Sequence, residues 1–177
     1  MNVYEFSPQK SNKKALGIIL ILLSLSAGLF AFTTLFPDIP YRWALQLISV
    51  MSFVVIIFII SRYIAKSFLY AIVKTDDDAL DFTVTEITNA GRTHITVCRI
   101  ALSNIEEAHL IDRSIPENIE KLKNIKKTAN TDGRKSFNYC PDVNPTEFCI
   151  LLIEECGEKI LLKLSYDPTL WRYFNNK

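Results

Sequence analysis

Residues 15–36 and 43–61 contain no charged side chain, and nothing else in the chain constrains its fold as strongly. The first run has 22 residues, roughly 33 Å as a helix at about 1.5 Å per residue, against a hydrocarbon core of about 30 Å. The second has 19 residues, with Gln46 its only strongly polar member, and covers roughly 28 Å by the same rise. Both are long enough to span a membrane. Between them, residues 37–42 carry Pro37 and Pro40, which cannot continue a helix, and polar groups that need water, so the pair reads as a membrane hairpin with a short turn. Phe36, Tyr41 and Trp43 mark one interface and Tyr63 the other.

Lysines and arginines orient the hairpin. Lys10, Lys13 and Lys14 precede the first run, Arg62 and Lys66 follow the second, and the turn holds only Arg42. The positive-inside bias therefore predicts a multi-pass protein of the plasma membrane with both termini in the cytoplasm. A cleaved signal peptide is disfavoured, because the apolar run exceeds the usual length of about 7 to 15 residues and no Ala-x-Ala site closes it. The expected layout is a tail over residues 1–14, a first span over 15–36, an outer turn over 37–42, a second span over 43–61 and a cytoplasmic domain over 62–177. Within the first span Gly17, Ser24 and Gly28 share one helix face, where small side chains admit a neighbouring helix. Together with Gln46 they are the expected packing face, either inside the hairpin, in a homo-oligomer, or against a larger membrane protein.

After the membrane the hydrophobic period becomes two. Strands are expected over Ser67–Lys74, 80–85, 92–99 and 103–111, separated by turns at residues 75–78 and 89–91. These four make an antiparallel meander with no parallel crossover. Ser114 and Glu117 have the form of a capping box and open a short, surface-lying helix with Ile115, Ile119 and Leu122 on one face. Three more strands follow over 135–140, 147–154 and 158–165, the second covered on both sides because Phe148, Ile150 and Leu152 alternate with Cys149, Leu151 and Ile153. Asp167 and Pro168 start a last helix whose Leu170, Trp171 and Phe174 form an apolar face.

This order of elements, with pieces such as the run from Val97 through Ile100 to Ile105, resembles small bacterial membrane proteins that carry two N-terminal helices and a cytoplasmic pleckstrin-homology-like (PH-like) domain. The resemblance implies a partly open barrel of about seven strands, built as two orthogonal sheets, with Leu170, Trp171 and Phe174 plugging one end. It also suggests lipid binding, but the first turn here holds Asp76, Asp77 and Asp78, whose charges repel a phosphate. The basic residues gather instead at Lys121, Lys123, Lys126, Lys127, Arg134 and Lys135, a candidate contact for anionic lipid or a solvated helix end.

Composition excludes other classes. Hydrophobic residues make up 49% of the 177 and charged residues 22%, which rules out a disordered chain. The balance of charge after residue 62 is nearly neutral and has no basic stripe, so nucleic acid is not an expected partner. Cys98, Cys140, Cys149 and Cys156 follow no common zinc or thioredoxin spacing and are expected to be free thiols in a reducing compartment. No phosphate loop, metal motif or nucleophile–base pair stands out, although Glu106, Glu107 and His109 lie close enough to share an edge. The expectation is a non-enzymatic chain without cofactor or metal. It would serve as a membrane-anchored binding or scaffolding module, in contact with membrane lipids and a protein partner, or alternatively as an accessory subunit of a larger membrane protein.

Overall fold

The computed structural model describes residues 2–88 and 91–175, so the expected turn at 89–91 lies mostly outside the described residues. The chain opens on a strand, β1 (Asn2–Phe6), inside the segment expected to be a tail. Tyr4 and Phe6 of β1 pack against the core of the domain that follows the helices. An alternation this short does not separate strand from coil by period alone.

Helix α1 covers Asn12–Leu35, α2 covers Arg42–Ile59, and a π-helical turn, Ile60–Ile64, extends α2. Both helices are long and apolar enough to cross a membrane. Their seam includes Ala15, Ile19, Leu22, Ser26, Leu29 and Thr33 on α1, facing Arg42, Leu45, Ser49, Ser52, Ile56 and Ile59 on α2. Alternate spacings of three and four residues are those of a coiled-coil seam, in which side chains of one helix fill holes on the other. At its centre Ser26 Oγ lies 3.0 Å from the Ser49 carbonyl, Ser49 Oγ lies 3.1 Å from the Ser26 carbonyl, and the hydroxyls are 2.8 Å apart. Packing inside the hairpin thus falls to the serines. Ser24 and Gly28 face outward, and a Cβ added at Gly17 or Gly28 would meet nothing within 4 Å, so these small residues do not bring α1 close to α2. Gln46 is half-buried, one turn before Ser49.

The domain is built from β2 (Ser67–Lys74), β3 (Leu80–Thr88), β4 (Thr93–Ala101), β5 (Ile105–Asp112), α3 (Pro116–Thr131), β6 (Lys135–Asn138), β7 (Glu147–Glu155), β8 (Glu158–Ser165) and α4 (Pro168–Asn175). One sheet has the order β1-β2-β3-β4 and the other β5-β7-β8-β6, four strands each. β1 lies antiparallel to β2, with Phe6 opposite Tyr70, so a single sheet joins chain from before α1 to chain from after α2. The two ends of the hairpin therefore enter one folded body.

Three features depart from the sequence expectation. The fourth strand of the meander leaves it at a 3-10 turn, Leu102–Asn104, and starts the second sheet as β5. β6 pairs parallel with β8, because α3 carries the chain back along β5 and returns it in the same direction. α3 is neither short nor superficial: it has 16 residues and buries Leu122 and Ala129 over the second sheet, while Ile115 and Ile119 are exposed. Its N-cap is Ile115 with Pro116 inside the first turn, so no capping box forms. Ser114 turns back instead, its backbone N–H and its Oγ lying 2.8 and 2.7 Å from Asp112 Oδ1.

The main core lies between the sheets and includes Phe68, Tyr70, Ile72, Phe82, Leu151, Ile153 and Leu164. A second core under α3 holds Phe148, Ile150, Leu152 and Leu161, so β7 is covered on both sides as expected. Asp167 caps α4, accepting from the N–H groups of Thr169 at 3.0 Å and Leu170 at 2.8 Å, and Tyr4 of β1 donates to the same oxygen at 3.0 Å. Leu170 and Phe174 close the core, with the Phe174 ring edge-on to Phe82 at 5.2 Å. Trp171 is only half-buried and does not act as the plug.

Candidate binding site

A groove of about 600 Å³ runs between α3 and β5. Glu107 and His109 line it from β5, two residues apart and therefore on one side of the strand. Glu117, Glu120, Lys121, Asn124 and Thr128 line it from α3 at spacings of three and four residues, which set them on one helix face. Asp132 and Arg134 close one end, and Ile125 and Leu152 supply apolar floor.

The charges in this groove are not equivalent. Arg134 has only 7% of its side chain exposed; its Nη2 donates to Glu106 Oε2 at 2.7 Å and its Nη1 to the Ile153 carbonyl at 3.2 Å. That hydrogen bond holds the Glu106 carboxyl below the usual carboxylate range. The guanidinium is thus committed to the frame, and its Nε reaches only to Asp132, 3.5 Å away. His109 Nε2 lies 2.8 Å from Glu107 Oε2. What remains toward solvent is a surface rich in carboxylates, Glu117, Glu120 and Asp132, with Lys121 among them. Such a groove suits a polar or basic segment by charge.

Three of the four thiols are poor nucleophiles where they lie. Burial pushes the thiols of Cys98 and Cys149 up to about 12 and that of Cys140 up to about 11, values at which the thiolate is scarce near neutrality. Cys156 is exposed, in the tight β7–β8 turn where it and Gly157 take positive φ of 51° and 79°, and all four cysteines are free. Among the described residues no three His, Cys, Asp or Glu side chains gather as a metal site would need.

The six basic residues read as a candidate lipid contact do not form one surface. Lys121, Lys123, Lys126 and Lys127 are exposed on α3, but Arg134 is buried in the frame and Lys135 Nζ is held by Glu158 at 2.7 Å. Lys135 also stands in register with Ile160, beside the β7–β8 turn, whereas the end of the domain nearest the hairpin is the loop where Asp142 accepts from the Ser11 N–H and Asn144 from Lys14. The basic stretch thus runs away from the hairpin. In the first turn Asp78 is paired with Lys74 at 2.7 Å. Glu107 and His109 do share an edge, while the α3 face opposite them was hidden because it depends on how the helix docks.

Two apolar helices long enough to span a membrane, ahead of two four-stranded, mostly antiparallel sheets and a C-terminal helix, define the class of protein: a β domain on a helical hairpin. No family model matches the chain, and no curated protein or solved structure matches it either.

Proposed function

We propose that this chain is a membrane-anchored module whose cytoplasmic domain, of PH-like type, holds a segment of a partner protein in the groove between α3 and β5. The observation that carries the reading is the groove itself, about 600 Å³ with a carboxylate-rich rim over an apolar floor of Ile125 and Leu152. The cytoplasmic side rests on the lysine bias around the spans, and the pairing of β1 with β2 supports a common side for both flanks. A PH-like fold is supported by two facing sheets closed by a C-terminal helix, although here the first sheet recruits its edge strand from ahead of the hairpin.

A photo-crosslinking residue at Asn124 in the groove tests the proposal in the native membrane. It should trap a protein partner, and the double reversal Glu117→Lys with Glu120→Lys should abolish the adduct while leaving the protein folded. An accessory-subunit role is the second reading, favoured by Ser24 and Gly28 facing outward from α1 with open space beside them. Adducts from Ser24 but none from Asn124 would replace the first reading with this one.

A further inference from the structure

Outside the hairpin, six large apolar side chains are exposed among the described residues: Val3, Ile95, Val97, Ile115, Ile119 and Phe137. Their distribution is not random. β4 is one edge strand of the first sheet and β6 one edge strand of the second, and between them lies an open cleft of about 250 Å³ lined by Val97, Ile100, Phe137, Ile160 and Leu162, with Arg99 and Glu155 at its rim. Ile95, 55% exposed, stands two residues before Val97 on the same edge. This seam adjoins the end of the second membrane helix through an unbroken set of contacts. Arg62, in the π-helical turn, donates to the Asn138 carbonyl at the end of β6 and lies over the Phe68 ring, 5.1 Å from its centroid. Phe68 meets Tyr139 at 5.7 Å, Tyr139 stacks on Phe137 at 6.3 Å, and the Tyr139 hydroxyl lies 3.4 Å from the Val97 carbonyl.

Strand register gives the same placement for Ile95. It pairs with Glu86, Glu86 pairs with Phe68, and Lys66 holds the Glu86 carboxylate at 2.8 Å. Ile95 therefore sits level with the first residues after the hairpin, and the exposed Arg92 lies beyond it toward the same end. On the opposite flank Ile115 and Ile119 belong to the start of α3, where the Arg113 N–H donates to the Thr146 carbonyl in the loop that also contacts Lys14. Ile95, Val97 and Phe137 thus flank the exit of the hairpin beside Arg62 and Arg92, while Ile115 and Ile119 stand on the opposite flank, next to Glu117 and Glu120 at the start of α3.

We propose that this end of the domain is seated in the headgroup layer of the membrane, with Ile95, Val97 and Phe137 dipping toward the acyl chains and the flanking arginines and lysines meeting anionic headgroups. The inference rests on the hairpin spanning the bilayer. Two features select lipid as the occupant: the patch is continuous with the helix end that leaves the bilayer, and beside it Arg62 and Arg92 complement an anionic leaflet while Lys66 offsets Glu86. The headgroup layer is about 6 Å deep on each side, enough to admit side chains standing level with the first residues of β2. Seating would fix the orientation of the domain, with the end of the α3–β5 groove at Asp132 and Arg134 pointing away from the membrane.

Nitroxide labels on the full chain in vesicles of mixed phosphatidylcholine and phosphatidylglycerol test this. Ile95→Cys and Phe137→Cys are made in a Cys156→Asn background, native Cys156 reports the far end of the domain, and Val54→Cys, on the lipid side of α2, reports the span. Collision with oxygen relative to a water-soluble nickel chelate should be several-fold higher at 95 and 137 than at 156, and unchanged when the protein is diluted in lipid. A ratio at 95 and 137 equal to that at 156, with a membrane signature at 54, overturns the inference and leaves the hairpin intact. An aqueous signature at 54 overturns both. Loss of the signal on dilution means that a second copy, not lipid, covers the patch, and also overturns it.

Discussion

Arg134 acts as a tie at the end of α3, binding Glu106 on β5 and the Ile153 carbonyl on β7. Arg134→Met should lower unfolding free energy by about 2 kcal/mol, below the loss for a fully buried pair because Glu106 is partly exposed. The shift should appear in the urea midpoint of the full chain in detergent at unchanged slope; a midpoint like the wild type would return Arg134 to the solvated surface. Its role was not legible in the sequence, since a buried arginine and its exposed lysine neighbours look alike in a string of charges. Aromatic positions separate similarly. Phe174→Ala should cost about 3 to 5 kcal/mol and Trp171→Ala clearly less, because only the first empties a buried site. The thiols give a pH dependence. Cys98, Cys140 and Cys149 have folded pKa values raised, first of all by burial, to about 12, 11 and 12. A raised value stabilises the fold below the unfolded thiol pKa of about 8.5. Stability should therefore be flat with respect to these groups up to that pH and fall as pH climbs toward 11 to 12. Cys149→Ala should remove about one proton from that slope; a slope identical to the wild type in alkaline urea titrations would show that this thiol ionises freely in the folded chain.

At the scale of elements, the hairpin depends on polar contacts hidden within apolar sequence. Ser26→Ala and Ser49→Ala should each weaken the helix pair by about 0.6 to 1.7 kcal/mol in mixed-micelle unfolding, the range for interhelical hydrogen bonds in membranes, whereas Ser24→Ala should change nothing. The two helices were legible because a charge is excluded from hydrocarbon over a fixed length. The seam between them was not, because serines every three or four residues are inconspicuous among leucines and isoleucines. Seven strands followed from alternation, and the start of α4 from Asp167 and Pro168. β1 escaped because Tyr4 and Phe6 give too few alternations, and the second sheet because residues 97–105 contain no glycine or proline to announce the turn at Leu102–Asn104. The parallel partner of β6 is set by the α3 crossover, a tertiary choice. The α3–β5 groove belongs with it: Glu107 and His109 could be placed together, but their facing helix could not.

For the whole molecule, β1 is the decisive element. It lies ahead of the first membrane helix and pairs with a strand that follows the second, so the domain closes around both ends of the hairpin. A sheet so assembled cannot have its strands on opposite sides of a bilayer; in the membrane reading we propose, the turn at residues 37–42 faces the other side. Lys10 reinforces this closure, its Nζ donating to the carbonyls of Ile64 at 2.7 Å and Lys66 at 3.2 Å. Both flanks of the hairpin should therefore lie on one side of the membrane, and an impermeant maleimide on intact cells tests this. Native Cys156, and Asn2→Cys in a Cys156→Asn background, should stay unlabelled until the membrane is opened, while Asp38→Cys in that background should label at once. Positions 2 and 156 reacting from opposite sides, or position 38 reacting only after the membrane is opened, would rule out this topology.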